Sequence, residues 1–310
     1  FELVQRLRPR VARWLVFHRA EPTTSEKWVR LVRRRLAKHD PASLVGAGTD
    51  AYFTELNRGR PPVANLDFIS FSINPQIHAI DLLSLAENLE SLGAVLDSAR
   101  VIANGRPISV SPVTLRPRRN VVATGPVVEP PPGELPEAVD PRQMSLFGAA
   151  WTLGCLKRLA EGGAAWTTWY ETSGWRGVLE TERGSPLPSR FRSLPGSVFP
   201  LYHVLHAVGG FAGGSVLPSQ SSAPLEVECM ALEAGARRAI IVSSLTSEPR
   251  RVTADWPSGE AHVKRLGEEN AERAMLEPEA YSAEPGEVLR ASGGRIALEL
   301  GPYETVWMES

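Results

Sequence analysis

The sequence is poor in cysteine and has no long apolar run. Its only cysteines, Cys155 and Cys229, are too few for a disulfide framework and lack the paired spacing of a zinc site. No stretch approaches the roughly 18 to 20 uninterrupted apolar residues that cross a bilayer, so we expect no membrane partner. The net charge of −1 gives no general electrostatic attraction to nucleic acid. These absences favour a cytoplasmic protein that acts on a small molecule.

Two further absences narrow the class of protein. No glycine-rich phosphate loop follows a predicted strand, because the segment GAGTDA at residues 46–51 has too few glycines for a dinucleotide fingerprint. We therefore expect no cofactor. The chain also begins at Phe1 instead of Met, and its first residues resemble the interior of a domain. We expect that the N-terminus has been lost or processed.

An alternation of strands and helices is present over residues 11–171. Short apolar runs with β-branched and aromatic residues predict strands, and longer stretches with apolar residues at helical spacing predict helices. The predicted strands are residues 11–17, 43–49, 66–73, 107–113 and 164–171, and the main predicted helices are residues 25–39, 80–103 and 144–163. This alternation indicates a parallel sheet covered by helices. Since no phosphate loop marks a doubly wound sheet, we predict an α/β fold of the (β/α) barrel type.

The pattern changes near residue 213. The segments PLEVECMALEAG, RRAIIVSSLT, RRVTADWP, GRIALEL and ETVWMES are short runs of period two or mixed apolar character, separated by Gly, Pro and Ser. They predict strands, and no helix is predicted among them. We therefore predict a partial TIM barrel over residues 1–212, followed by an all-β sandwich over residues 213–310.

Polar side chains follow each predicted barrel strand, where the active site of a (β/α) barrel lies. So many polar groups at one rim predict a polar pocket for a hydroxylated substrate, a carbohydrate or a lactone. The candidate catalytic groups are Glu21, Glu55 and Glu171. The candidate substrate-binding residues are His18, Asp50, Asn57, Asn74, His78, Arg116, Arg118, Tyr170 and Trp175.

Each candidate acid has a structural alternative. Glu21 precedes a predicted helix, where a carboxylate can merely stabilise the helix N-terminus. Glu55 can be a solvated residue on a short helix. Glu171 closes an apolar strand, where an unpaired carboxylate is costly, and this favours a functional role for it.

The other candidates carry similar alternatives. Arg116 and Arg118 suit a substrate carboxylate or an oxyanion, or they form salt bridges within a loop. His78 either binds substrate or is a structural histidine. The residues available for a metal site, His18, Glu21, Asp50 and His78, lack tight ligand spacing, so we expect no metal.

The segment WLVFHRAEPTT resembles the end of the fourth barrel strand in clan A glycoside hydrolases, where Asn-Glu-Pro carries the acid/base glutamate. Glu21 and Pro22 match this motif, and Ala20 replaces the asparagine. The resemblance implies that barrel strands one to three lie before Phe1, and that the five predicted strands are numbers four to eight. The clan's nucleophile is a glutamate at the end of strand seven, but the corresponding segment ISVSPVTLRPR has no carboxylate. Retaining glycosidase chemistry needs two carboxyl groups about 5 Å apart, and this register does not supply them.

A second set of segments resembles the D-apionate lactonase family. These segments are GTDAYFTELNRGRP, DFISFSINPQIHA, SPVTLRPR, VDPRQMSLFGAAWTLG, YETSGWRG and VFPLYHVL. They span nearly the whole barrel portion, and their combination is far more specific than any single segment. The resemblance implies an enzyme of apiose catabolism that opens D-apionolactone to D-apionate, with an additional N-terminal domain.

Lactone hydrolysis needs a base to activate water, a group to stabilise the oxyanion and an acid for the leaving ring oxygen. It needs no carboxylate nucleophile. Our hypothesis assigns Glu171 or Glu21 as the base and the other as the acid. Arg118, His78 and Asn74 orient the substrate or stabilise the oxyanion.

Two alternatives stay open at this point. A clan A-like glycoside hydrolase acting on a uronic or pentose sugar would require a shifted register, in which Glu55 and Glu171 are the carboxylate pair. A carbohydrate-binding scaffold without catalysis would bind ligand without turnover.

Overall fold

The computed structural model describes residues 2–118, 129–257 and 259–310. The chain forms two compact units. The first consists of residues 1–74, 93–126 and 162–169, and the second consists of residues 75–92, 127–161 and 170–310. The domain boundary between residues 212 and 213 rests on the sequence pattern and stays a prediction.

The first unit is built on a parallel sheet of five strands. The strands are β1 (Arg13–Val16), β2 (Leu44–Tyr52), β3 (Phe68–Ile73), β4 (Ile108–Val113) and β5 (Trp166–Trp169). They lie side by side in sequence order, and every neighbouring pair is parallel. Sequential order is typical of a (β/α) barrel wall, whereas a doubly wound sheet reverses its strand order. The predicted strands and the barrel-type fold are confirmed, and the sheet is half of such a barrel.

Burial explains why these strands are recognisable in the sequence. All of β3 is buried, and so are residues 45–49 of β2. Strands covered on both faces are nearly continuous apolar runs. The helices up to residue 209 are α1 (Glu2–Leu7), α2 (Glu26–Leu36), α3 (Phe53–Gly59), α4 (Leu82–Ala103), α5 (Leu146–Glu161) and α6 (Pro200–Gly209).

Strands β2 and β3 approach each other closely at Gly48. A Cβ added to Gly48 would lie 2.1 Å from the backbone oxygen of Ser70, and the φ of Gly48 is +154°. We expect Gly48→Ala to lower the free energy of unfolding by about 2 kcal/mol, as measured by guanidinium denaturation. The matched control is Gly93→Ala in α4, where nothing lies within 4 Å of the added Cβ. Because alanine is the better helix former, this control is expected to stabilise by about 0.5–1 kcal/mol. A Gly48→Ala protein as stable as the wild type would contradict the packing described for this position.

The second unit contains an antiparallel β sandwich. The strands of this unit are β6 (Glu171–Ser173), β7 (Gly177–Leu179), β8 (Ser215–Leu217), β9 (Val227–Ala234), β10 (Arg237–Ser244), β11 (Arg250–Asp255), β12 (Glu260–Leu266), β13 (Glu287–Arg290), β14 (Arg295–Leu300) and β15 (Thr305–Glu309). Six of them form a sheet in the order β13-β12-β15-β10-β9-β8, and β11 pairs with β14. One buried cluster includes Val263 and Met308 from the large sheet and Leu298 from the small one. The predicted sandwich is confirmed.

The sandwich differs from the prediction between β12 and β13. Two short helices, α7 (Ala271–Leu276) and α8 (Pro278–Ala283), lie there, where the sequence predicts none. Six residues are too few to display a helical period. Strand β12 was also not predicted, because its sequence EAHVKRL mixes three charged residues with a short apolar alternation.

Helix α5 is buried on most of its surface, which explains its apolar sequence FGAAWTLGCL. Trp151 is 1% exposed, and its Nε1 donates a hydrogen bond to the Leu85 carbonyl at 3.0 Å. Cys155 is buried, and burial raises the pKa of its thiol. Across the described ranges, no helix combines the length and the apolar character that a membrane span requires.

Candidate active site

The carboxyl ends of the parallel strands lie at one edge of the first unit's sheet. The predicted site residues of this unit lie near the carboxyl ends of these strands or in the segments that follow them: His18, Glu21, Asp50, Glu55, Asn57, Asn74, Arg116 and Arg118. The remaining predicted residues, His78, Tyr170, Glu171 and Trp175, belong to the second unit.

Glu21 follows β1 and accepts hydrogen bonds on both carboxylate oxygens. The Ser25 backbone N–H donates to Oε2 at 2.9 Å, and the Trp28 indole N–H donates to Oε1 at 2.7 Å. These two bonds, the Ser25 one foremost, hold the pKa of the Glu21 carboxyl below its ordinary value. Glu21 is therefore anionic at neutral pH, at the start of α2, and it is poorly suited to donate a proton.

His18 lies against the same helix. Its ring stacks on that of Trp28 with centroids 4.1 Å apart and planes 10° apart. Its Nδ1 accepts a bond from the Ala20 backbone N–H at 3.3 Å and lies 4.0 Å from Glu21 Oε1. An acceptor at Nδ1 places the proton of the neutral ring on Nε2.

Glu55 is the most enclosed of the three candidate acids. It lies in the first turn of α3, directly after β2, and is only 8% exposed. Its Oε1 accepts a hydrogen bond at 3.0 Å from Arg58, whose side chain is 67% exposed. The sequence-based alternative of a solvated glutamate is therefore wrong. A buried carboxylate paired with a largely solvated cation is a candidate for chemistry.

The other polar groups of this edge are more open. Asp50 and Asn74 are half-buried, whereas Asn57 is exposed and accepts a hydrogen bond from Arg60 at 2.9 Å. Arg116 is half-buried and Arg118 is exposed, both after β4. The Arg116 carbonyl accepts a bond from the Thr114 hydroxyl at 2.7 Å. The sequence has no carboxylate from Val113 up to Glu129, so this strand end carries cations instead of an acid.

Tyr170 directly follows β5 and belongs to the second unit. Tyr170 is buried and has a φ of 52°, so β5 stops at Trp169. Its hydroxyl and that of Thr152 share a hydrogen bond of 2.7 Å, and burial raises the pKa of the Tyr170 hydroxyl.

The environment of Glu171 differs from the one that the sequence predicts. Its side chain is 42% exposed and pairs with Arg176 at 2.7 Å. It stands in β6, beyond the end of β5. The premise of a buried, unpaired carboxylate is therefore wrong. In the same segment, Trp175 makes an edge contact with Phe191, with ring centroids 6.5 Å apart.

A buried ionic network in the second unit is absent from the predicted site. Asp140 is 3% exposed and accepts two hydrogen bonds from the Arg142 guanidinium, at 2.9 Å from Nε and 2.7 Å from Nη2, and one from the Arg142 backbone N–H at 2.9 Å. Gln76 is also buried; it donates to Asp140 and accepts from Arg142 at 2.8 Å. Burial raises the pKa of the Asp140 carboxyl, but the bonds from Arg142 and Gln76 outweigh it and hold the pKa below its ordinary value.

The network fixes the segment that contains the remaining predicted residue, His78, which is itself exposed. Arg142 Nη1 also donates to the Ile80 carbonyl at 2.6 Å. In the sequence, this network is marked by the motif VDPRQM. The motif is part of a segment on which the family resemblance rests, but it follows no predicted strand. Among the described residues, no group of three or more His, Cys, Asp or Glu side chains is arranged to hold a metal ion.

Two family models match the chain. The model described as D-apionate lactonase, TIM barrel domain, matches residues 2–213. The model described as D-apionate lactonase, C-terminal immunoglobulin-like domain, matches residues 224–308. A curated relative, the D-apionate lactonase of Brucella anthropi, is 28% identical over 214 residues, which cover 69% of this chain and 33% of the relative.

Solved structures share the fold. A monomeric β-xylosidase from Caulobacter crescentus CB15 has a TM-score of 0.56 at 14% identity, over 91% of this chain and 64% of that one. An α-L-arabinofuranosidase from Thermotoga maritima has a TM-score of 0.57 at 13% identity, over 91% of this chain and 60% of that one. The chain thus spans about a third of its curated relative and under two thirds of these structures. Since one family model covers most of its length, the chain belongs to the D-apionate lactonase family.

Proposed function

We propose that this chain contributes the active site of a hydrolase that opens a sugar-acid lactone, D-apionolactone, to D-apionate in apiose catabolism. The observation that carries the proposal is the match of both family models, over residues 2–213 and 224–308. The Brucella anthropi relative bears the name of this activity.

The chemistry of the strand ends agrees with a lactonase. Opening a lactone requires attack by water, stabilisation of an oxyanion and protonation of the leaving ring oxygen. The cations Arg116 and Arg118 after β4 suit an oxyanion or a carboxylate. A retaining glycosidase would need a second carboxylate at about 5 Å from the first, and the segment after β4 supplies none.

The proposed roles follow from the state of each acid. The hydrogen bonds that lower the pKa of Glu21 favour its carboxylate form, so we assign Glu21 the role of base and Glu171 that of acid. Glu171 would then protonate the ring oxygen. Glu55 is the alternative acid, because it is the buried carboxylate of the sheet edge. Asn74 and His78 would orient the substrate.

The test is proton release by pH-stat from D-apionolactone and from a panel of other aldonolactones, corrected for spontaneous hydrolysis. Enzymatic release with D-apionolactone above the other lactones is expected. Aryl xylosides and arabinosides serve as the second panel and should stay intact. Cleavage of an aryl glycoside without release from any lactone would overturn the proposal and favour the glycosidase alternative, with Glu55 and Glu171 as the carboxylate pair.

A further inference from the structure

A cavity of about 350 Å³ lies in the second unit, and none of its lining residues is a predicted site residue. It is bounded by α6, by the end of α8 and the segment that follows it, and by one face of the six-stranded sheet. Its volume is at the small end of the range for small-molecule pockets, so the cavity suits a compact ligand.

The sheet places four side chains of the cavity on one face. His262 and Lys264 alternate along β12, and they stand directly opposite Glu309 and Trp307 of β15. Directly opposed residues of antiparallel strands project their side chains to the same face. The intervening Val263 projects to the other face and belongs to the sandwich core. Side chains alternate between the two faces of the sheet, so the face that lines the cavity carries these polar and aromatic side chains.

Lys264 is the central cation of this face. Its Nζ donates to the carbonyls of Tyr281 at 3.2 Å and Ser282 at 2.7 Å, and it lies 5.6 Å from the centroid of the Tyr281 ring. An ammonium has three donors, so these two bonds leave one N–H for a bound group. Burial lowers the pKa of Lys264, and a bound anion would oppose this effect by favouring the charged form.

The other charged groups of the cavity are already paired. Arg237 lies 3.3 Å from Glu309, and Arg273 lies 2.6 Å from Glu284. Lys264 makes its hydrogen bonds to carbonyls, and the carboxylates of Glu284 and Glu309 act on it only at longer range, where they raise its pKa. Because those two carboxylates are paired with arginines, Lys264 is the cation best placed to meet a ligand's negative charge.

Imidazole and aromatic groups complete the lining. Three of the six histidines in the sequence line the cavity: His203, His206 and His262. His206 and His262 are exposed and can donate to or accept from hydroxyl groups. Trp307 adds an apolar surface. One cation, several hydrogen-bonding groups and an aromatic ring together fit a ligand with one carboxylate and several hydroxyls.

We propose that this cavity is a second binding site, which takes a small polyhydroxylated carboxylate, that is, a sugar acid, with its carboxylate on Lys264 and its hydroxyls on His206 and His262. The proposal does not depend on the lactonase function, because binding is measured directly.

The experiment is isothermal titration calorimetry of the purified protein with sodium D-gluconate at pH 7. Sorbitol is the matched neutral polyol, and sodium phosphate is the matched anion without carbon-bound hydroxyls. Gluconate should bind saturably, and sorbitol and phosphate should bind at least about tenfold more weakly, because each lacks one of the two kinds of contact.

Three variants test the assignment of residues. Lys264→Met keeps the aliphatic stem and should weaken gluconate binding about tenfold or more, as expected for loss of a hydrogen bond to a charged group. His262→Ala removes an exposed side chain and should weaken binding by about threefold or more. The control Arg290→Met removes an 83%-exposed cation of β13 and should leave binding unchanged. Thermal unfolding of each variant checks the fold, and His262→Ala carries the test if Lys264→Met does not fold.

The proposal would be overturned by any of three results. These are no gluconate binding to the wild type, equal binding by the wild type and by both cavity variants, or binding of phosphate or sorbitol as tight as that of gluconate. Lactone hydrolysis without gluconate binding would defeat this proposal and leave the proposed function intact.

Discussion

Glu171→Gln is expected to lower kcat for D-apionolactone hydrolysis by about 10²–10⁴-fold, the usual contribution of a positioned proton-transfer group. An amide cannot take up or release the proton that the ring oxygen needs. Glu171 is accessible to a substrate, because its side chain is 42% exposed, and its ionic partner is Arg176. The rate is measured by pH-stat at saturating lactone.

The matched control for this prediction is Glu182→Gln. Glu182 is an exposed glutamate in the same part of the chain, and its replacement should change kcat by less than about twofold, since it removes an equal charge from the surface. Wild-type activity in Glu171→Gln together with a large loss in Glu55→Gln would move the acid to the buried carboxylate of α3. Full activity in the double variant Glu21→Gln, Glu171→Gln would reject the proposed pair altogether.

The sheet of the first unit could be predicted because burial leaves a direct record in the sequence. Strands covered on both faces are apolar without interruption, and β3, with six buried residues, is the clearest case. The two short helices α7 and α8 left no such record. Each has six residues, and a helix of this length depends on its tertiary contacts more than on its own sequence.

The environments of the candidate acids could not be predicted, because they depend on where backbone elements end. Strand β5 ends at Trp169, Tyr170 follows with a positive φ, and Glu171 lies beyond the sheet with an exposed side chain. Glu55 is buried because α3 begins directly after β2 and lies against the sheet. In both cases a shift of a few residues decides the burial of a carboxylate, and local sequence does not fix element ends this closely.

The Asp140 network was missed for a different reason. Its members lie in irregular segments, and the contact between Asp140 and Gln76 joins residues 64 positions apart. No periodicity marks such a pair. Only the charge of Asp140 and its place two residues before Arg142 are visible in the sequence, and that spacing is common in exposed loops. The tertiary structure is what makes the pair buried and bidentate.

Asp140→Asn is expected to lower the free energy of unfolding by about 3 kcal/mol at pH 7, the lower end for removing one partner of a buried ion pair. The lower end applies because the Arg142 side chain retains 20% exposure, so solvent compensates part of its charge. Urea denaturation measures the difference. The control is Asp97→Asn, which breaks an ion pair between side chains that are 74% and 54% exposed and should cost less than about 1 kcal/mol.

The effect of Asp140→Asn should also depend on pH in one direction. Because the folded protein holds the pKa of Asp140 below its ordinary value, the carboxylate's contribution to stability is full above the unfolded pKa of about 3.9. It is lost as the pH falls through the lower, folded pKa. The wild type and Asp140→Asn should therefore differ most at neutral pH and converge below about pH 4. A difference that stays constant from pH 7 to pH 3 would show that Asp140 stabilises the fold by its shape and hydrogen bonds, and not by its charge.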